Sequence, residues 1–294
     1  MIDFANYVVN GVLQGQLYAL LALGFVVIYR ASKVFNFAQG ELMLLGAYAV
    51  WSLTLGAGLP AWAAIPLAFA FALAFGWLVE RLFFERMVGE SVFSMVMVTI
   101  GLVILIRGVV LLVWGAADRP FPALLPAAPI ILGEFILPTS LVIGALLTLA
   151  LTIGLSYFFN RMRAGLTLTA VAEEPTTALS LGISVRRAVT LAWMMGTAIA
   201  TVGAIVFLSG RSLNVQTADV ALAALPVALL AGLESIGGLI LAGAILGVVQ
   251  ALVSAYVDPR IGGSASSIVP FLFMLLILLL RPTGLFGWRH IERV

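Results

Sequence analysis

Apolar stretches long enough to cross a lipid bilayer recur along almost the whole chain, and they limit what this sequence can fold into. A transmembrane helix needs about 20 predominantly apolar residues. Cutting the sequence at its charges and turn residues leaves nine such stretches, at residues 5–29, 37–57, 60–79, 91–115, 136–160, 188–210, 218–233, 236–257 and 266–281. With 63% hydrophobic and only 10% charged residues, the chain lacks the polar surface of a water-soluble fold. We therefore expect an all-α, polytopic integral membrane protein.

The number of complete crossings depends on the seventh stretch. This stretch is short and contains Pro226, and little more than Glu234 and Ser235 connects it to the eighth stretch. The two stretches either cross separately or form one re-entrant hairpin. We expect about nine transmembrane helices, with eight possible, and either nine or seven complete crossings.

Basic residues predict how the chain is oriented. The side that holds the C-terminal tail carries eleven of the 15 Lys and Arg residues, whereas the other side carries Arg119, Arg211 and Arg260, and Arg107 lies inside a span. Because cytoplasmic loops are enriched in Lys and Arg, we expect a cytoplasmic C-terminus and a periplasmic N-terminus. No basic residue precedes the first apolar stretch, so it is interpreted as a retained helix rather than a signal peptide.

The connections between the spans are too short to hold a soluble domain, so residues 1–294 are expected to form a single transmembrane domain. Two connections are longer than the others. Residues 116–135, on the periplasmic side, contain four prolines and are expected to form an irregular loop. Residues 161–187 lie on the cytoplasmic side and contain a signal for a short helix.

That signal consists of residues typical of a helix start and a helix end on either side of a short segment that begins at Pro175. Glu173 and Glu174 precede the proline, and Gly182 follows a few residues later. Proline is favoured at the first helical position, acidic residues near the positive end of the helix dipole, and glycine just past the helix end. The sequence therefore predicts a surface helix of roughly two turns, residues 175–181.

Two pairs of glycines are spaced four residues apart within spans. Gly11 and Gly15 lie in the first span, and Gly243 and Gly247 lie in the eighth. Small residues at this spacing let helix backbones approach closely in lipid. The pairs indicate either helix packing within one subunit or a subunit interface.

Charged residues inside spans need a reason, because each costs roughly 2.5 to 3.5 kcal/mol at the centre of a helix on insertion scales. Arg107 lies past the middle of its span. It could snorkel to the headgroups, form an internal ion pair or face a substrate path. Glu41 and Glu234 are expected near the cytoplasmic ends of their helices, where they could cap a helix or contact a gate.

Neutral polar side chains also occur in or beside the spans. Such groups either bond to neighbouring helices or line a water-filled pathway, where they replace part of a solute's hydration. Together with Glu41 and Glu234, the candidates for a pathway lining or gate are Asn10, Gln14, Gln16, Asn36, Gln39 and Gln250.

Enzyme signatures are missing from the sequence. There is no cysteine, and the one histidine, His290, lies in the tail, so neither a zinc-ligand set nor a Ser-His pair can be assembled. Lys33, the only lysine, follows no phosphate-binding glycine loop. We expect no catalytic residue, no metal site, no bound cofactor and no nucleic-acid partner.

Four blocks, spread in order over nearly the whole chain, carry a family resemblance. They are YALLALG and NFAQGEL within residues 10–48, AVAEEPTTALSLGISVRR at 170–187, AGLESIGG at 231–238 and RPTGLFG at 281–287. Together they resemble the LivH-type permeases of branched-chain amino acid ABC importers. Two positions depart from that pattern: Glu174 stands where the family commonly has Asn, and Gly237 where many members have proline.

The resemblance implies a mechanism and a set of partners. The chain would be a permease subunit in a bacterial inner membrane, paired with a second, homologous LivM-type permease that makes a hetero- or homodimer. Two ATP-binding subunits, which hold ATP and Mg, and a periplasmic solute-binding protein would complete the importer. The implied solute is a branched-chain or related amino acid, with urea, short amides or small carboxylates as alternatives. An ion-coupled secondary transporter is the other reading.

The resemblance also places the contact with the ATP-binding subunits on the predicted surface helix, which would transmit their closure to the spans and so drive alternating access. Arg186 and Arg187 would anchor this segment at the headgroups or simply follow the positive-inside bias. The coupling residues are Glu173, Glu174, Pro175, Ala178, Leu181 and Gly182.

Overall fold

The computed structural model describes residues 2–87, 90–281 and 283–287, and almost all of their regular structure is helical. The helices are α1 (Ile2–Ser32), α2 (Gln39–Trp51), α3 (Ala61–Val79), α4 (Val92–Trp114), α5 (Thr139–Arg161), α6 (Arg163–Glu173), α7 (Pro175–Ser180), α8 (Val185–Leu208), α9 (Val220–Ala231), α10 (Gly238–Tyr256), α11 (Asp258–Ile261) and α12 (Ala265–Leu280). A π-helical turn, Ser52–Gly56, extends α2; a π-helical turn, Glu80–Phe84, and a 3-10 turn, Glu85–Met87, extend α3. A further 3-10 turn, Val215–Asp219, leads into α9.

Six helices within the described ranges are long and apolar enough to cross a membrane: α1, α3 with its extension, α4, α5, α8 and α10. The other three predicted spans are also helical but shorter: α2 has 13 residues, or 18 with the 5 of its π-helical turn, α9 has 12 and α12 has 16. The prediction of an all-α protein with membrane-spanning helices is therefore confirmed. Nine complete spans and the orientation of the chain stay predictions.

The only strands in the described ranges are short and lie at one end of the helices. β1 (Arg119–Pro120) pairs with β4 (Ser212–Leu213), and β2 (Ile130–Leu132) pairs with β3 (Phe135–Leu137), both antiparallel. We call this end of the molecule the β end, and the opposite end, which carries α6 and α7, the α7 end. The loop predicted to be irregular thus contains a hairpin, because Gly133, at φ +63°, closes a tight turn between β2 and β3.

α1 and α8 form the centre of the protein, and the remaining long helices surround them. Most of the apolar window of α1 and of α8 is buried, compared with a third or less of the windows of α3, α4, α5 and α10. The outer helices expose large apolar side chains such as Ile104 and Leu112. In a membrane protein these faces suit lipid or another apolar protein surface.

The two glycine pairs meet each other where α1 crosses α10. A Cβ on Gly15 would overlap the carbonyl oxygen of Gly243, and a Cβ on Gly247 would overlap that of Gly11. The backbones are in direct contact, which only glycine permits. All four glycines therefore serve a helix crossing inside this one chain.

α2 and α9 begin in the middle of the molecule. The Gln39 side-chain amide donates to the carbonyl of Gly196, 3.3 Å away, and Gly196 lies about 17 Å along α8 from its first residue at 1.5 Å per residue. Gly40 packs directly on the carbonyl of Ala218, at the start of α9. α2 then runs to the β end and α9 runs to the α7 end. We call α2 and α9 the half-helices, because both start beside the middle of α8 and run from there to opposite ends of the molecule.

The half-helix α9 explains why the seventh predicted span is short. Residues 33–38 return from the α7 end to the middle without forming a helix, and residues 209–214 return from the β end. Irregular backbone at membrane depth is tolerated where it is buried in protein. Residues 33–38 contain such a buried point at Asn36, which is 1% exposed. Its side-chain oxygen accepts a hydrogen bond from the N–H of Ala38 at 3.0 Å, so this backbone donor has a partner inside the protein.

Candidate functional site

The surface helix predicted from Pro175 and Gly182 is present as α7. Pro175 is its first residue, and Gly182, at φ +77°, reverses the chain just past its end. The N–H of Ile183 donates to the carbonyl of Ala178 at 2.9 Å, which closes the turn. This left-handed conformation favours glycine, so the helix ends where the sequence predicts.

α7 is held by one buried side chain, and its other side chains point outward. Ala178 is buried and packs against the body of the protein. Leu179 and Leu181 are 54% and 75% exposed, and Glu173, Glu174 and Pro175 at the start of the segment are exposed as well. The six predicted coupling residues thus lie together at the α7 end, and all but Ala178 face outward.

Lys33 links this segment to the rest of the α7 end. Its ammonium group lies 2.7 Å from the Glu173 carboxylate and also contacts Glu234, in the turn between α9 and α10. Burial disfavours the charged form of Lys33, but the hydrogen bonds that its ammonium group donates to Glu173 and Glu234 outweigh this effect, so the pKa of Lys33 lies above its ordinary value. The ion pairs therefore persist at neutral pH and tie α1, α6 and the α9–α10 turn together.

A cavity of about 400 Å³ opens beside this cluster. Tyr29, Lys33, Glu173 and Glu234 supply polar groups to its wall, and Leu229 and Leu278 supply apolar ones. The Arg30 guanidinium donates to the Glu234 carbonyl at 3.5 Å and to the Asn160 side chain at 3.0 Å. Of the predicted gate residues, Glu234 is the one that reaches this cavity.

Arg186 and Arg187, the two predicted anchors of the segment, differ in their contacts. The Arg186 guanidinium forms an ion pair with Glu85 at 2.8 Å. Nearby, Thr190 donates to the Glu80 carboxylate at 2.7 Å. These contacts join the start of α8 to the extension of α3, so Arg186 holds two helices together. Arg187 is exposed.

A second cluster of charges lies at the start of the half-helices. The Glu41 carboxylate oxygen Oε1 accepts a hydrogen bond from Nε of Arg107 at 2.9 Å and lies 2.6 Å from Nη2 in an ion pair. Asp219 accepts from the same Nη2 at 3.0 Å. Arg107 thus forms an internal ion pair, which was one of its predicted alternatives.

The expected position of Glu41 was wrong. Glu41 does lie in the first turn of its helix, but that helix starts in the middle of the molecule rather than at the α7 end. A hydropathy profile cannot show this, because residues 37–57 are equally apolar whether their helix starts at a membrane surface or in the middle of the protein.

Most of the neutral residues predicted to line a pathway bond inside the fold. Asn36 and Gln39 are nearly inaccessible and hold the start of α2, and the Gln16 amide donates to the Ile240 carbonyl of α10 at 3.0 Å. Asn10 donates to the Ile136 carbonyl at the β end. Gln14 and Gln250 are partly buried. In this conformation the bonded amides join helices, and a role in a pathway stays a prediction for all of them.

Sequence reasoning missed two residues that complete these clusters. Lys33 had been noted only for lacking a phosphate-binding loop, and Asp219 had not been singled out. The available signal was the pairing rule for charges in membranes: Arg107 requires acidic partners, and Asp219 sits at the edge of an unusually short span. Across residues 2–87, 90–281 and 283–287, no three His, Asp or Glu side chains are grouped to hold a metal ion.

Comparisons with known proteins agree over nearly the full length. Residues 7–278 match the family described as branched-chain amino acid transport system, permease component. The high-affinity branched-chain amino acid transport system permease proteins BraD of Pseudomonas aeruginosa and LivH of Escherichia coli K12 are 28% and 29% identical, each over 99% of this chain and 98% of the relative. A probable branched-chain amino acid transport permease protein LivH of Methanocaldococcus jannaschii is 24% identical over 97% and 94%. No solved structure matches the chain.

Proposed function

The chain belongs to the branched-chain amino acid transport permease family of ABC transporters, and we propose that it is the membrane subunit of an ATP-driven importer of branched-chain or related amino acids. The importer would receive its solute from a periplasmic binding protein. A second permease would complete the pathway, and two ATP-binding subunits, which carry ATP and Mg, would supply the force. The complex would reside in the inner membrane with the α7 end in the cytoplasm, where the excess of Lys and Arg in the sequence places it.

The exposed helix α7 is the observation that carries this proposal. The six-residue helix α7 exposes Leu179, and Leu181, just past its end, is exposed as well, so the segment presents two neighbouring apolar side chains on its surface. These exposed leucines would be covered by a partner protein in the assembled importer. Docked ATP-binding subunits would push on α7, and the Lys33 ion pairs would pass that displacement to α1 and to the α9–α10 turn.

The test is association of the ATP-binding subunits with this chain. Leu181→Asp places a charge on the exposed end of α7 without disturbing buried packing, so the variant should insert normally but retain at least tenfold less of the ATP-binding subunits in a pull-down. Leu132→Asp, at a leucine 60% exposed at the β end, is the matched control and should retain them fully. Equal retention by both variants would refute the assigned role of α7.

An ion-coupled carrier is the competing function, and Glu41 lends it an argument, since such carriers place an acidic residue near the midplane. The purified chain alone, reconstituted in liposomes with a proton or sodium gradient, should not accumulate leucine. Accumulation without the partner subunits would overturn the importer proposal.

A further inference from the structure

The cluster of Glu41, Arg107 and Asp219 reaches the surface of the chain at a depth where lipid would lie. The side chains of Arg107 and Asp219 are 35% and 52% exposed. Arg107 is about 10 Å from the end of α4, and Asp219 precedes α9, whose 12 residues extend about 18 Å to the α7 end, at 1.5 Å per residue. Charges at such depth do not face hydrocarbon; they face protein or a water-filled cavity.

The cluster is also incomplete. Two carboxylates surround one guanidinium, so the three groups carry a net charge of −1. The Glu41 side chain is 97% buried, and its second oxygen, Oε2, has no hydrogen-bond partner among the described residues, whereas Oε1 accepts the hydrogen bond from Nε of Arg107. An unpaired carboxylate oxygen in a buried site is costly. A ligand that brings N–H donors would satisfy it.

We propose that Arg107, Glu41 and Asp219 form a subsite in the translocation pathway for the ammonium and carboxylate groups of an α-amino acid. This inference rests on the proposed function and names the residues that would recognise its solute. Glu41 is buried and holds Arg107 in place, while Asp219 is half exposed and can exchange partners. The solute carboxylate takes the position of Asp219 on Arg107, and the solute ammonium binds Asp219 and the free oxygen of Glu41.

The exchange conserves the pairing of charges. Before the solute arrives, Asp219 and Arg107 neutralise each other; afterwards each binds the opposite end of the zwitterion. A solute that lacks the ammonium group would add a second negative charge to a cluster that is already net negative. The subsite therefore favours amino acids over the carboxylates of the same carbon skeleton.

Cysteine labelling of the complete transporter tests this inference, because the chain contains no native cysteine. Asp219→Cys in nanodiscs, with ATP, binding protein and partner subunits present, should react with a membrane-impermeant cationic thiosulfonate. Excess leucine should slow the reaction at least fivefold, and 4-methylpentanoate, which lacks the ammonium group, should not. Ile104→Cys, on the lipid-exposed face of the same region and 72% exposed in this chain, should not react.

Uptake measurements give an independent outcome. Asp219→Asn should raise the KM for leucine roughly tenfold, as expected for the loss of one charge-assisted hydrogen bond, and Asp219→Glu should restore it. Failure of Asp219→Cys to react, or reaction without leucine protection, overturns the subsite. If the unaltered complex does not take up leucine at all, the proposed function falls instead, so the two failures are distinguishable.

Discussion

The crossing of α1 and α10 supports a prediction whose size follows from the backbone geometry. A Cβ on Gly15 would lie 2.6 Å from the carbonyl carbon of Gly243 and closer still to its oxygen, whereas real Cβ atoms stay beyond 3.0 Å. The helices must therefore separate by up to about 1 Å, a gap that forfeits roughly half of the dispersion energy of each contact across it. Gly15→Ala should destabilise the protein by about 1 to 3 kcal/mol, the usual cost of overpacking.

Thermal unfolding of the detergent-purified chain measures this loss. At about 2 to 4 °C per kcal/mol, the Tm of Gly15→Ala should fall by roughly 2 to 12 °C. Gly154→Ala in α5 is the matched control, because a Cβ there meets nothing within 4 Å. Alanine is the better helix former, so the control should gain about 0.5 to 1 kcal/mol. A Gly15→Ala Tm equal to that of Gly154→Ala would show that the crossing is not close-packed.

Two further predictions concern the local structure around the spans. Asn36→Ala leaves the N–H of Ala38 and the side-chain oxygen of Gln39 without their partners and should cost about 1 to 3 kcal/mol in thermal unfolding. Asn10→Ala at the β end should cost less than about 0.5 kcal/mol, and equal losses would contradict the role of Asn36. Hydrogen bonds from Ser266 hold the pKa of Asp258 below its ordinary value. The charged carboxylate therefore stabilises the junction of α11 and α12 at neutral pH, and this stabilisation is lost as the pH falls through the lowered pKa. In the unaltered protein, amide exchange of residues 257–266, corrected for intrinsic rates, should be faster at pH 3 than at pH 7. In Asp258→Asn the increase should be smaller, and an identical increase in both proteins would refute this role of Asp258.

Local patterns in the sequence predicted the features that depend on local physics. Every one of the nine apolar stretches contains a helix, because length and composition suffice to identify apolar helices. The bounds of α7 followed from Pro175 and Gly182, since a proline and a left-handed glycine determine where a helix begins and ends regardless of what surrounds it.

The remaining features depend on contacts between distant parts of the chain. The pairing of Lys33 with Glu234 joins residues 201 positions apart, and no local pattern encodes it. The predicted start of the second span, residue 37, lies within two residues of the start of α2 at Gln39, but hydropathy did not show that this start lies beside the middle of α8. Glu41 was therefore expected at the α7 end rather than in the middle of the molecule.

The two half-helices have a mechanical consequence. α9 is a rigid rod from the α7 end to the centre, α2 is a second rod from the centre to the β end, and the two lie in series. They touch where Gly40 rests on the Ala218 carbonyl, and Arg107 ties Glu41 of α2 to Asp219 at the start of α9. A push along α9 would reach α2 through the backbone contact, and a pull would reach it through the Arg107 ion pairs, so the two helices would shift together in either direction.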